Sequence, residues 1–162
     1  MIIIILFQSN VSPKTWIYDT PTYTWIQGPS MRTGRRMHGC FSIDENGTTT
    51  KVVAMGGLSM GDPSTAGILS TAEILDVASM QWEDLPDLPF GVHGNKGVES
   101  VIGPYLGFSV AGSNNAGNKN RIIGLRKNLN GIYFWQEMDD QLITGRIGAA
   151  VVNVPDSMVP SC

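Results

Sequence analysis

Cysteine and histidine are the scarcest chemically versatile residues in this 162-residue chain. Two cysteines, Cys40 and Cys162, exclude a disulfide framework, and one bridge between them is unmotivated. Two histidines, His38 and His93, leave a metal site almost no nitrogen ligands to draw on. Charge is sparse too, at 15% of residues and a net −3. That leaves no broad positive field for phosphates or anionic lipid, so neither nucleic acid nor a membrane is expected as a partner. The opening "MIIIILF" is too short to span a bilayer and has neither the basic region nor the small-residue cleavage site of a secretory signal. This favours a cytoplasmic protein; an extracellular one requires an incomplete N-terminus, and only then would Asn10-Val11-Ser12 and Asn46-Gly47-Thr48 accept glycans. No sustained 3.6-residue period occurs, nor any G-x-S-x-G, P-loop or H-E-x-x-H motif.

What is present is 42% apolar content, ordinary for a globular domain, in short runs punctuated by 19 glycines and 9 prolines. Strands joined by turns are expected. The runs recur at a fixed distance. Asp19 and Asp76, Trp25 and Trp82, Pro29 and Pro86, and Met31 and Leu88 are all 57 residues apart. Gly57 and Gly112 are separated by 55, Trp82 and Trp135 by 53, and the phrases "RMHGCF" at Arg36 and "RIGAAV" at Arg146 by 110. Drift of this size belongs in loops, where insertions cost little.

Each unit reads as four strands. A first run ends near Ile43, a turn holds Asn46-Gly47, and a second run covers Lys51 to Met55. After a loop over residues 58–70 come a third strand near Ala72–Leu75, a turn over Asp76–Ser79 and a fourth around Gln81–Glu83. The following unit gives Gly97–Ile102, Tyr105–Val110, a Ser/Asn/Gly loop, Ile122–Arg126 and Tyr133–Glu137.

Gly56-Gly57 after the second strand, Glu73 and Asp76 around the third, Trp25, Trp82 and Trp135 in the fourth, and the Arg36 and Arg146 phrases together resemble the kelch repeat, over nearly all of Trp16–Val154. The resemblance implies an all-β, kelch-type β-propeller fragment of about two and a half four-stranded antiparallel blades. Residues 1–35 would end a preceding blade (strands two to four), 36–89 form one blade, 90–140 a degenerate one, and 141–162 the first strand ("AAVVNV") of a further blade and a tail. Because propellers close with roughly four to eight blades, further blades are expected outside this chain. Departures from the pattern are Ala111 before Gly112, Gly91 where an Arg is expected, and no apolar-Asp pair before Trp135.

Most of the repeated residues are assigned to structure. Gly56, Gly57 and Gly112 allow positive φ and close backbone approach. Trp25, Trp82 and Trp135 wedge between blades and need an acceptor for the indole N–H. Asp19 and Asp76 accept from backbone amides to fix the turn between strands three and four, and Glu73 accompanies them. His38 and His93 are 55 residues apart, but the strand boundaries leave His93 in a loop, so both read as ordinary strand or loop residues and Cys40 as a small buried hydrophobe.

The functional candidates lie in loops that join blades or follow second strands: Met31, Arg32, Arg35 and Arg36, then Met60 and Asp62, then Asn114, Asn115 and Asn118, then Asp139 and Asp140. Arg32, Arg35 and Arg36 are the one dense positive cluster, and guanidinium suits carboxylates, so an acidic protein or peptide partner is expected. The resemblance implies a non-enzymatic interaction scaffold without metal or cofactor. The alternative is an enzyme on the same ring, such as a sugar oxidase or isomerase.

Overall fold

The computed structural model describes residues 2–4, 10–45, 48–60, 67–100 and 103–150, and every regular element among them is a β-strand. β1 (Ile2–Ile4), β2 (Trp16–Asp19) and β3 (Thr24–Gln27) form a three-stranded sheet in that order. β4 (Gly39–Glu45), β5 (Thr48–Met55), β6 (Ala72–Asp76) and β7 (Gln81–Leu85) form a four-stranded sheet, also in chain order. β8 (Lys96–Glu99) and β9 (Tyr105–Val110) lead into a short hairpin of β10 (Ser113–Asn114) and β11 (Gly117–Asn118). β12 (Ile122–Lys127) and β13 (Tyr133–Glu137) then join β8 and β9 in a second four-stranded sheet. All pairings are antiparallel.

The expected strands are found, most of them longer at their ends than the apolar runs alone suggest. Two differences stand out. The loop after β9 contains the β10–β11 hairpin, and the strand expected to start at Gly97 runs from Lys96 to Glu99. The Asn46-Gly47 turn, Asp62 and most of "AAVVNV" lie outside the described residues.

Side chains of the central sheet alternate between two cores, as a two-residue period requires. Val52, Ala54, Leu75 and Trp82 pack with Met31 on the side of the first sheet. Phe41, Ile43, Val53, Met55, Ala72, Ile74 and Leu85 pack on the other side against Ile123 and Leu125 of β12. With both faces buried, β5 and β6 read in sequence as near-continuous apolar runs.

Successive sheets are also joined by directed hydrogen bonds. The Trp82 indole N–H donates to the Pro29 carbonyl (3.0 Å), and the Trp135 indole N–H to the Pro86 carbonyl (2.8 Å). Each acceptor lies just beyond the last strand of the preceding sheet. Trp25 has the same register, opposite Tyr18 as Trp82 is opposite Leu75, but its ring is 48% exposed and its N–H meets no acceptor among the described residues.

The double glycine behaves as expected, with φ of +66° at Gly56 and +97° at Gly57. In the third sheet the same site holds Ala111 at φ +62°, before Gly112 at +101°. An L-residue in this region costs about 1–2 kcal/mol, partly offset by the chain entropy that glycine would lose on folding. Ala111→Gly is expected to stabilise the protein by about 0.5 kcal/mol, read as a higher urea midpoint at unchanged m-value.

Candidate functional site

Every long connection leaves its sheet at the same end. Residues 28–38 follow β3, 56–60 and 67–71 lie between β5 and β6, 86–95 follow β7, 111–121 follow β9 and 138–148 follow β13, while the tight turns 77–80 and 128–132 lie at the opposite end. The long connections are laced together by backbone hydrogen bonds: Gly57 N–H to Val92 O (2.7 Å), Gly94 N–H to Met37 O (2.7 Å), Gly112 N–H to Arg146 O (2.7 Å) and Gly148 N–H to Gly94 O (2.9 Å). Arg36 bridges Leu58, and His93 bridges Ser113. All the loop candidates among the described residues belong to this end of the molecule.

They do not all face solvent. Met31 is a core residue at 3% exposure, held there by the hydrogen bond from its N–H to Pro13 O. Arg35 is 1% exposed, so it cannot read a partner from the surface. Its guanidinium donates to Gly56 O (2.8 Å), Thr71 O (3.0 Å) and Glu73 Oε1 (2.6 Å). The Glu73 carboxylate, equally buried, also accepts from the N–H groups of Arg32 (2.6 Å) and Thr33 (3.1 Å). Two buried charges are tolerable because nearly every lone pair and proton is matched.

The same hydrogen bonds correct the register of the repeat. Arg35 N–H bonds to Ser12 O, Val92 N–H to Leu69 O and Arg146 N–H to Lys119 O, so Arg35, Val92 and Arg146 are equivalent, at steps of 57 and 54. Arg36 therefore corresponds to His93, and Val92, not Gly91, stands where the Arg was expected. His38 corresponds to Asn95, and the 55-residue spacing of the histidines has no structural meaning. The counterpart of Glu73 in the third sheet is Ile123, since they face the equivalent residues Ala54 and Ser109. Arg32 becomes Pro89, which has no N–H to satisfy. A charged set has been replaced as a whole by Val92, Ile123 and Pro89.

The other arginines differ. Arg36 is half-buried. Arg32 is exposed and pairs with Asp84 of β7 at 2.5 Å. Met60, Asn115, Asp139 and Asp140 are exposed, and Asn114, half-buried, donates to Gly91 O (3.3 Å). Asn118 lies in β11. Ile68, Gly91, Asn114, Asn115 and Ala116 line an open depression of about 290 Å³. Sequence reasoning missed Asp84 and Ile68, which gain their place only through strand pairing and loop return.

Burial, helped by the charges of Arg35 and Lys96, lowers the His38 pKa to about 3, so its ring is neutral near pH 7. His93 is lowered as well, by burial and by Arg36. Burial pushes the Cys40 thiol up to about 12, which removes it as a thiolate nucleophile. Among the described residues no three His, Cys, Asp or Glu groups are placed to hold a metal.

Turn chemistry is met by two residue types, Asp and Asn. Asp76 accepts from the Ser79 N–H (2.8 Å) and from Lys51 Nζ (2.7 Å), and its carboxyl pKa is lowered by these bonds, Lys51 first. At Asp19 the donor is instead the Thr22 hydroxyl (2.6 Å). In the third sheet, where no Asp precedes the Trp, Asn128 takes the role, accepting from the N–H groups of Asn130 and Ile132 (both 2.9 Å).

Geometry and pairing define the chain as an all-β protein of repeated antiparallel sheets. No protein-family model matches it, and no curated protein matches its sequence. Among solved structures it is similar in fold to YjhT, at 16% identity and a TM-score of 0.64, over 91% of this chain and 50% of that one. The chain thus spans about half the length of that structure.

Proposed function

We propose that the chain is a kelch-type propeller segment whose connecting-loop end docks a protein or peptide partner, without chemistry of its own. The observation that carries this reading is the convergence, at one end of the sheets, of the connections that follow β3, β5, β7, β9 and β13 among the described residues. Backbone hydrogen bonds fix these loops to one another; they carry the exposed side chains of Arg32, Met60, Asn115, Asp139 and Asp140, and Asn114 and Asn115 help to line an open depression. Recognition by loops on a fixed scaffold needs this arrangement.

Arg32 is the cation best placed to meet an acidic partner. Its pairing with Asp84 is solvent-exposed, and such pairs contribute only about 0–1 kcal/mol, so a partner's carboxylate can displace Asp84. Binding of fluorescent Asp/Glu-rich peptides is expected to weaken about tenfold in Arg32→Glu and to strengthen in Asp84→Asn, which frees the guanidinium. Lys127→Glu, at the tight-turn end, is expected to leave it unchanged. Equal effects of all three substitutions, or none, would remove the basis for this face.

A further inference from the structure

We propose that the groove between the second and third sheets, at the tight-turn end, holds a primary alkylammonium group, supplied by a partner's lysine side chain or by a free amine. The site lies at the opposite end from the connecting loops and does not rest on the reading above. Its cavity, its charge and the repeat each lead to it.

The interior between these two sheets is apolar along most of its length and turns polar at this end. Lys51, Val53 and Met55 share one face of β5, as Asp76, Ile74 and Ala72 share one face of β6. The row that buries Val53 and Ile74 in the core therefore continues into Lys51 and Asp76. Tyr133 of β13 packs against the same core from the third sheet. Together with Ser79 and Glu83, the side chains of Lys51, Ile74, Asp76 and Tyr133 line an open cavity of about 240 Å³.

Most of the polar groups in this cavity are already engaged. Asp76 accepts from the Ser79 N–H (2.8 Å), the Ser79 hydroxyl (3.0 Å) and Lys51 Nζ (2.7 Å), so the charges of Asp76 and Lys51 offset each other. Lys127 Nζ lies over the ring of Tyr133, 5.0 Å from its centroid. The Glu83 carboxylate and the Tyr133 hydroxyl remain, and neither has a hydrogen-bond partner among the described residues. The cavity thus offers one carboxylate without an ion pair, one phenolic oxygen and an apolar floor at Ile74, which is 5% exposed. A short alkyl stem ending in –NH3+ matches all three: its CH2 groups lie on Ile74 and its N–H groups donate to Glu83 and to the Tyr133 oxygen. An anion would meet Glu83 with like charge, and a neutral alkyl group would leave both oxygens unpaired.

The repeat shows that this carboxylate is no requirement of the sheet. Glu83 is opposite Ile74 in the second sheet; the same register holds Ile26 opposite Ile17 in the first and Gln136 opposite Gly124 in the third. Glu83 is also exposed and makes no contact that folding needs. A charge confined to one of three equivalent places, beside a cavity, is explained by what enters the cavity.

Titration of the full 162-residue chain with n-butylammonium chloride at pH 7, at constant ionic strength, is expected to shift the amide resonances of Ser79, Glu83 and Tyr133 to saturation. The expected dissociation constant is on the order of 1 mM, as suits so small a ligand. Glu83→Gln should weaken binding about tenfold at unchanged melting temperature, Glu83→Ile, copying the first sheet, should abolish saturation, and Tyr133→Phe should weaken it about threefold. Asp140→Asn, at the loop end, should leave it unchanged. Nα-acetyl-lysine methylamide binding at least as tightly as butylammonium would assign the site to a partner's lysine; butylammonium binding alone would assign it to a free amine. Shifts that never saturate, equal binding of neutral n-butanol, or an affinity indifferent to both Glu83→Gln and Tyr133→Phe would overturn the proposal. Those results leave the loop-end reading standing, because that reading is tested by Arg32 and Asp84 with acidic peptides.

Discussion

Glu73→Leu is expected to cost about 3–5 kcal/mol of folding stability, because it strands the Arg35 guanidinium in a site with almost no solvent contact. For a chain of this size that lowers the melting temperature by roughly 10 °C, measurable by scanning calorimetry. The informative result is the rescue. Arg35→Val/Glu73→Ile copies the third sheet, where Val92 and Ile123 fill the equivalent sites at 0% and 2% exposure within one apolar cluster. The double variant is expected to return to within about 1 kcal/mol of the parent, since an apolar set of similar shape can replace a buried ion pair at little cost. Any residue of the loss should shrink when Arg32→Pro is added, which removes the N–H that Glu73 accepts from. Single-variant costs that simply add would show that the three positions do not act as a set.

Gly97→Ala is expected to destabilise by about 3 kcal/mol, the upper range for overpacking, with a matching fall in the urea midpoint. A Cβ at Gly97 would lie 2.0 Å from Cys40 O, 2.3 Å from Cys40 C and 2.9 Å from Phe41 N. All three are backbone atoms of β4, which cannot swing aside as the end of a side chain can. The two strands belong to different sheets, so the substitution forces the sheets apart at this contact. An unchanged midpoint would mean that β4 and β8 are not held at this distance in solution.

The strands were legible in the sequence because their signals are local. Short apolar runs set β5 and β6, and turn residues set the connections. The tryptophans were legible for their size and spacing, but not the direction of their hydrogen bonds. Arg35 was misread because charge in a loop usually means solvent, and its acid lies 38 residues away, on a strand reached after two turns. The equivalence of Arg35, Val92 and Arg146 was hidden by uneven spacing. From Ala72 to Ile122 the step is 50, because the connection over residues 56–71 is five longer than that over 111–121, whereas the next connection restores most of the difference. Gly97 carried no mark at all, since nothing in its neighbours reveals that another backbone passes where a Cβ would be.

The indole-to-carbonyl bonds all point the same way along the chain, each unit leaning on the one before it. Loss of a unit from the leading side therefore orphans the tryptophan of its successor, while loss from the trailing side leaves every earlier indole satisfied. Two erosions of equal length are not equivalent in such an array: it tolerates shortening at its back far better than at its front.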